Sequence, residues 1–212
     1  MAALFLFIIA SMARAEALSE AELKNLLTRI RENRITQADF QEQRIIRLMQ
    51  KPIVNSGQVW FQPPNKFRRE AKGNSPSLTV SNGQQLWIYY PNFRSAERYS
   101  LGKRTPLDSI IASINAALNL ENIENTFHIT ATRAGNEYEL ELTPRTAAMK
   151  RAFQKLNLRI NDKLQAERTD MLQPNGDRIV TIYSNQSREP VPPSTFEFTP
   201  PPGTDVTSPL GK

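Results

Sequence analysis

The side chains able to do chemistry are few in this chain. His128 is the single histidine of the 212 residues. It stands between Phe127 and Ile129 in an alternating stretch, with none of the companions that a metal site or a catalytic triad needs. Glu137, Glu139 and Glu141 alternate with Tyr138, Leu140 and Leu142. Carboxylates two apart on a strand could exchange a proton, but three in strict alternation read as the solvated face of a half-buried strand. Glu121 and Glu124 are a pair of the kind any soluble protein has. No Gly-rich phosphate loop, nucleophile elbow or HExxH motif occurs. The chain therefore reads as a protein without catalytic residues, metal ligands or cofactor. An unrecognised hydrolase is the disfavoured alternative.

What remains is apolar and basic. Lys66, Arg68, Arg69 and Lys72 flank Phe67. These charges read either as a solvated strand or as a basic patch around an exposed aromatic, with Lys66, Phe67, Arg68 and Arg69 docking onto an acidic partner. The elements that must position them run from Ser56 to Pro91. Three apolar runs there are separated by turn signals at Gln62-Pro63-Pro64-Asn65, Gly73-Asn74-Ser75-Pro76 and Ser81-Asn82-Gly83. Asn-Gly takes the positive φ angles of a tight hairpin readily. Three or four antiparallel strands are predicted. They carry Trp60, Phe61, Phe67, Leu78, Val80, Leu86, Trp87, Ile88, Tyr89 and Tyr90, so one face must be buried or must line something.

Composition bounds the rest. Ala2 to Ala10 is almost wholly apolar and is followed by Ala13-Arg14-Ala15, an h-region with a small-x-small cleavage site. It falls short of the roughly 20 apolar residues that span a bilayer. Residues 1–15 are expected to be a signal peptide, and residues 16–212 a single domain of 212 − 15 = 197 residues. With no cysteine there is no disulfide and no lipidated cysteine after the leader. The expectation is a monomeric protein released into the periplasm. Net charge is +6, which suits an anionic membrane surface or an acidic protein. Export argues against nucleic acid.

Along the chain, Ser19-Glu20-Ala21-Glu22 is a capping box, and Leu23, Leu26, Leu27 and Ile30 form one helical face ending near Asn33. That helix packs on a sheet or covers a cavity. Thr36 to Met49 is predicted as a long strand, with Ala38, Phe40, Glu42, Arg44 and Ile46 on one face. A further strand is expected from Phe93 to Tyr99. Thr105-Pro106-Leu107-Asp108 starts a helix whose apolar face holds Leu107, Ile110, Ile111, Ile114, Ala117 and Leu118. It is either a plug on the sheet or a lid. A short helix is placed at Leu120 to Glu124. Strands follow at 126–134, 137–143, 155–160, 164–172 and 178–184, then a proline-rich loop at 185–194.

The motifs S-G-x-x-x-x-x-x-P-N-x-F and V-S-N-G-x-x-L-W-x-Y-x-P in the central block, with F-x-F-T-P-P-x-G-x-x-V from Phe196 to Val206, resemble the LolA family, periplasmic carriers of outer-membrane lipoproteins. The Ala38-Asp39-Phe40 strand start and the Thr105 helix start match family positions too. The resemblance implies an α+β fold dominated by β structure: an incomplete antiparallel β-barrel of about eleven strands with a helical lid over its concave hydrophobic face. It implies a cavity for acyl chains, assigned here to Phe40, Trp60, Phe67, Val80, Leu86 and Ile88 of the sheet and to Leu107, Ile110, Ile111 and Ile114 of the lid. The implied partners are acylated lipoproteins as cargo, an inner-membrane ABC lipoprotein exporter and an outer-membrane lipoprotein receptor. Two positions depart from the family pattern. Pro63 stands where an arginine often ties down the lid, and Arg69 stands where an aromatic is common. A lipid-binding sensor or regulatory domain on the same fold is the alternative.

Overall fold

The structure, a computed structural model, describes residues 15–73, 75–101 and 123–209. The leader and the helix predicted from Thr105, with Leu107, Ile110, Ile111 and Ile114, lie outside the described residues. Helix α1 (Glu20–Glu32) opens with the predicted capping box: the Ser19 amide donates to Glu22 Oε2 at 2.8 Å, and Ser19 Oγ accepts from the Glu22 amide at 3.4 Å. Leu26, Leu27 and Ile30 are its buried face.

Thirteen strands form one open sheet. They are β1 (Glu16–Ala17), β2 (Gln37–Ile45), β3 (Ile53–Gln62), β4 (Lys66–Lys72), β5 (Ser77–Asn82), β6 (Gln85–Tyr90), β7 (Ser95–Ser100), β8 (Phe127–Ala134), β9 (Glu137–Pro144), β10 (Lys155–Ile160), β11 (Ala166–Leu172), β12 (Arg178–Ser187) and β13 (Asp205–Thr207). The order is β1-β8-β9-β10-β11-β12-β2-β3-β4-β5-β6-β7-β13. Every pairing is antiparallel except β13 on β7. The two edge strands are the very short ones, which limits the exposed backbone a neighbour could pair with. The predicted 36–49 strand ends at Ile45, and a turn takes its last residues. Short helices α2 (Ile123–Thr126) and α3 (Ala147–Ala152) complete the described helical structure. Helix α3 was not foreseen. Its cap is Thr146, whose hydroxyl accepts from the Met149 amide.

Because residues paired across strands share a face, the register sorts the side chains. One face, called inner here, receives α1. Its first apolar patch joins Leu26, Leu27 and Ile30 to Phe127, Leu140, Leu142, Phe153, Leu156, Leu158 and Ile160. Its second patch lies on β2–β6: Ala38, Phe40, Val59, Phe61, Phe67, Ala71 and Leu86, with Ile35 from the α1–β2 connection. The outer face of β4 and β5 is covered by the C-terminal segment. There the 3-10 turn Pro193–Phe196 packs on both strands, and Phe196 is wholly buried. Phe198 meets Trp87 edge-on, ring centroids 5.8 Å apart, and Tyr89 at 5.5 Å.

Candidate ligand-binding face

The second patch is built by hairpins with specific turn chemistry. At Asn82-Gly83 the glycine has φ +93°, and Asn82 Oδ1 accepts from the amides of Gln84 and Gln85 at 3.0 and 2.9 Å. The buried Ser81 hydroxyl ties this turn to the preceding one, donating to the Asn65 carbonyl at 2.7 Å. The Pro63–Pro64 bond in that turn is cis. Gly57 opens room for Phe40, its partner across β2 and β3. A Cβ there would overlap the Glu70 carbonyl and come within 2.9 Å of the Phe40 ring.

Period-two alternation decides which predicted residues meet. Phe67 pairs with Phe61, Ser81 pairs with Phe67 and Leu86, and Phe40 pairs with Gly57. Phe40, Phe67, Leu86 and Ile88 therefore share the inner face. Trp60 pairs with Arg68, Arg68 with Val80, and Val80 with Trp87. Placing Trp60 and Val80 in the same cavity is thus corrected: both lie on the outer face, on the C-terminal segment's side of the sheet.

The proposed docking patch is corrected for the same reason. Lys66 and Arg68 point outward while Phe67 and Arg69 point inward, and Phe67 is 1 % exposed. Phe67 is a core aromatic. Arg68 is held by Glu70 at 2.7 Å and by the Thr195 carbonyl at 3.2 Å, so it fastens the C-terminal segment rather than a partner.

The inner face also carries polar groups that sequence reasoning passed over. Arg69 donates to Glu42 Oε2 at 2.7 Å and lies 4.2 Å above the Phe40 ring centroid. Thr169, Thr181 and Glu42 pair in a row across β11, β12 and β2. They form a polar seam between the two apolar patches. Tyr183, paired with Phe40, adjoins this seam, and burial pushes its phenol up to about 12. At the other margin Tyr99 donates to Glu97 Oε2 at 2.5 Å. Burial, then that carboxylate, push the Tyr99 phenol above its ordinary range. Tyr90 is raised likewise, by burial first and then Glu97. The available signal was the alternation of β4: once Phe67 faces inward, so must Arg69.

The second patch is thus an apolar floor bordered by a cation, two carboxylates and three tyrosine hydroxyls, on an open sheet with α1 over the neighbouring patch. These features define an open, barrel-like β sheet with one large apolar face, and among the described residues no cluster of three or more potential metal ligands occurs. The family described as "Outer membrane lipoprotein carrier protein LolA" matches residues 33–199. The chain belongs to the LolA family. It is 24% identical over 205 residues to an outer-membrane lipoprotein carrier protein of Coxiella burnetii, covering 96% of this chain and 93% of that one. It is 28% identical over 182 residues to the protein of the same description from Dechloromonas aromatica, covering 84% and 83%. Among solved structures, an uncharacterized conserved protein from Thermus thermophilus shares the fold at TM-score 0.53 and 14% identity. That likeness spans 88% of this chain and 99% of the other.

Proposed function

We propose that this protein carries the acyl chains of lipoproteins through the periplasm, from an inner-membrane ABC exporter to an outer-membrane receptor. It would be made with a signal peptide over residues 1–15 and act as a monomeric single domain over residues 16–212, without enzymatic activity. The observation that carries this reading is the second apolar patch of the inner face in a chain of the LolA family. Phe40, Phe61, Phe67 and Leu86 form its floor, each 1–3 % exposed. Acyl chains leave water with about 0.8 kcal/mol per methylene, so an apolar floor of this kind suits them. A face closed so tightly must open to admit them, and that opening lowers net affinity enough for release.

The test uses the mature chain and a fluorescent acyl probe. Ile88 packs at the margin of the patch, partly buried. Ile88→Glu is expected to keep the fold by circular dichroism and lose probe uptake. Ile111→Ala, in the helix read as a lid, is expected to raise uptake and leave the thermal midpoint nearly unchanged. Unaltered uptake in Ile88→Glu would overturn the reading, as would purified protein that yields no acylated species by mass spectrometry.

A further inference from the structure

Five of the large hydrophobics exposed among the described residues sit in one place. Ile45, Leu48, Met49, Ile53 and Val54 are 38, 97, 50, 37 and 51 % exposed, and all belong to the β2–β3 hairpin. On its β4 side this hairpin outreaches the sheet. Pairing of β3 with β4 begins only at Ser56, and pairing of β12 with β2 begins at Ile45. Residues 53–55 therefore extend past β4 by about 10 Å at ~3.3 Å per residue, while on the other side β2 stays paired with β12 to Ile45 and the turn beyond it meets Asp177 through the Arg47 amide.

The charge of the hairpin is one-sided. From Gln43 to Arg69 the chain has no acidic residue, while Arg44, Arg47 and Lys51 surround the tip and are exposed. None of these three forms an ion pair among the described residues. The nearby acids belong to β2, β11 and the β11–β12 turn, and Glu42 of β2 is taken by Arg69. Asp170 is held by Arg168 and Arg178, and Asp177 accepts from the Arg47 amide at 3.0 Å. The β6–β7 connection stands at the same end of the sheet and adds Phe93, 80 % exposed, beside the exposed Arg94. Lys72, exposed at the end of β4, lies on this rim as well.

We infer that this rim is a membrane-docking surface, with the 45–54 hairpin inserting its aliphatic tip among the lipids and its basic residues meeting anionic headgroups. The occupant follows from the composition of the tip. Protein hot spots favour aromatic anchors and arginine seated in fully desolvated pockets. This tip instead projects flexible aliphatics beneath a ring of cations, the arrangement of a peripheral element that dips into the headgroup–acyl boundary of an anionic bilayer. The inference does not depend on what the inner face binds.

The chain has no cysteine, so Leu48→Cys accepts a single environment-sensitive fluorophore. With vesicles containing phosphatidylglycerol the label is expected to blue-shift and to be quenched by lipids spin-labelled along the acyl chain. Vesicles of phosphatidylcholine alone should bind far more weakly, and high salt should weaken binding to the anionic ones. In the unlabelled chain, Leu48→Glu should reduce cosedimentation with the anionic vesicles at least tenfold. Arg47→Gln and Lys51→Gln should each reduce it about fivefold. No shift with any vesicle would overturn the inference. So would equal binding to neutral and anionic vesicles, or a shift that grows with protein concentration alone, the sign of a second copy on the hairpin. Because Leu48 is 97 % exposed, the variant should fold and still take up an acyl probe. An unsubstituted chain that binds the anionic vesicles but takes up no acyl probe would instead count against the carrier reading alone.

Discussion

The two apolar patches of the inner face are laid on the same sheet by the same alternation, yet they differ in kind. The first is packed by α1, with Leu26 and Leu27 at 2 and 1 % exposure over Phe127, Leu140, Leu142 and Leu158. Apart from the polar seam that it borders, its inward side chains are apolar beneath α1, and Arg133 and the Tyr138 hydroxyl come only at its far end, by the β8–β9 turn. The second has an apolar floor of similar depth, but Arg69, Glu42, Tyr183, Tyr90, Tyr99 and Glu97 stand at its margins. A partly buried ion pair adds little stability over apolar side chains of the same volume. The ion pairs at the edge of the first patch, Arg31–Glu124 and Arg133–Glu16, are more exposed than Arg69–Glu42, and this deeper pair beside the second patch fits the proposed reading of the first as structural core and the second as the ligand face.

The largest test of this contrast deletes equivalent volume from each patch. Leu142→Ala, wholly buried in the first patch, is expected to cost about 4 kcal/mol, and Leu86→Ala about 2 kcal/mol, because a face that opens for cargo, as proposed, collapses more readily around the deletion. Denaturant unfolding of both variants checks it, and equal losses would break the comparison. Gly57→Ala comes next. The added methyl meets the Glu70 backbone carbonyl, which cannot move as a side-chain end would, so a loss of about 1–3 kcal/mol is expected. Adding Phe40→Ala should fail to restore it. Recovery in the double variant would mean that the aromatic ring alone limits the space at Gly57.

Much of this was legible in the sequence, because local rules governed it. The Ser19–Glu22 capping box, the Asn82-Gly83 turn and the alternation of Leu156, Leu158 and Ile160 fold as their residue types dictate. The fold class was readable too, through motifs that lie in turns and in the C-terminal Phe196–Val206 segment. What escaped was which side of the sheet each strand shows. Trp60 and Val80 are as apolar as Phe61 and Phe67, but a strand flanked on both faces has no polar side to give its direction away. Arg69 misled for the opposite reason. Its charge reads as solvent-facing, and only the pairing with Glu42, 27 positions earlier, makes an inward cation tolerable.

That pairing gives a smaller test. Arg69→Met leaves Glu42 partly buried and unpaired and is expected to cost about 1–2 kcal/mol, while adding Glu42→Leu should recover most of the loss. The coupling from the double-mutant cycle should be about 1 kcal/mol, since both side chains keep some contact with solvent. A coupling near zero would make Arg69 an ordinary surface cation and the margin of the second patch no different from any other strand edge.

The smallest expected effect is a titration. Tyr90, Tyr99 and Tyr183 border the second patch, and burial raises all three above the ordinary tyrosine value. Their unfolded value is about 10. The folded state therefore holds their protons longer than the unfolded chain does. The stability linked to them is fully present below about pH 10 and is lost as pH rises through the folded-state values. Ultraviolet absorbance of tyrosinate should accordingly show at least three of the chain's five tyrosines ionising late, near the pH at which far-ultraviolet circular dichroism reports unfolding. Tyr183→Phe should remove one late equivalent and soften the alkaline loss of the thermal midpoint. If all five tyrosines ionised together near pH 10 with the fold intact, solvent would already reach the margin of the second patch. The distinction between a closed recognition face and an open groove would then have to be drawn the other way.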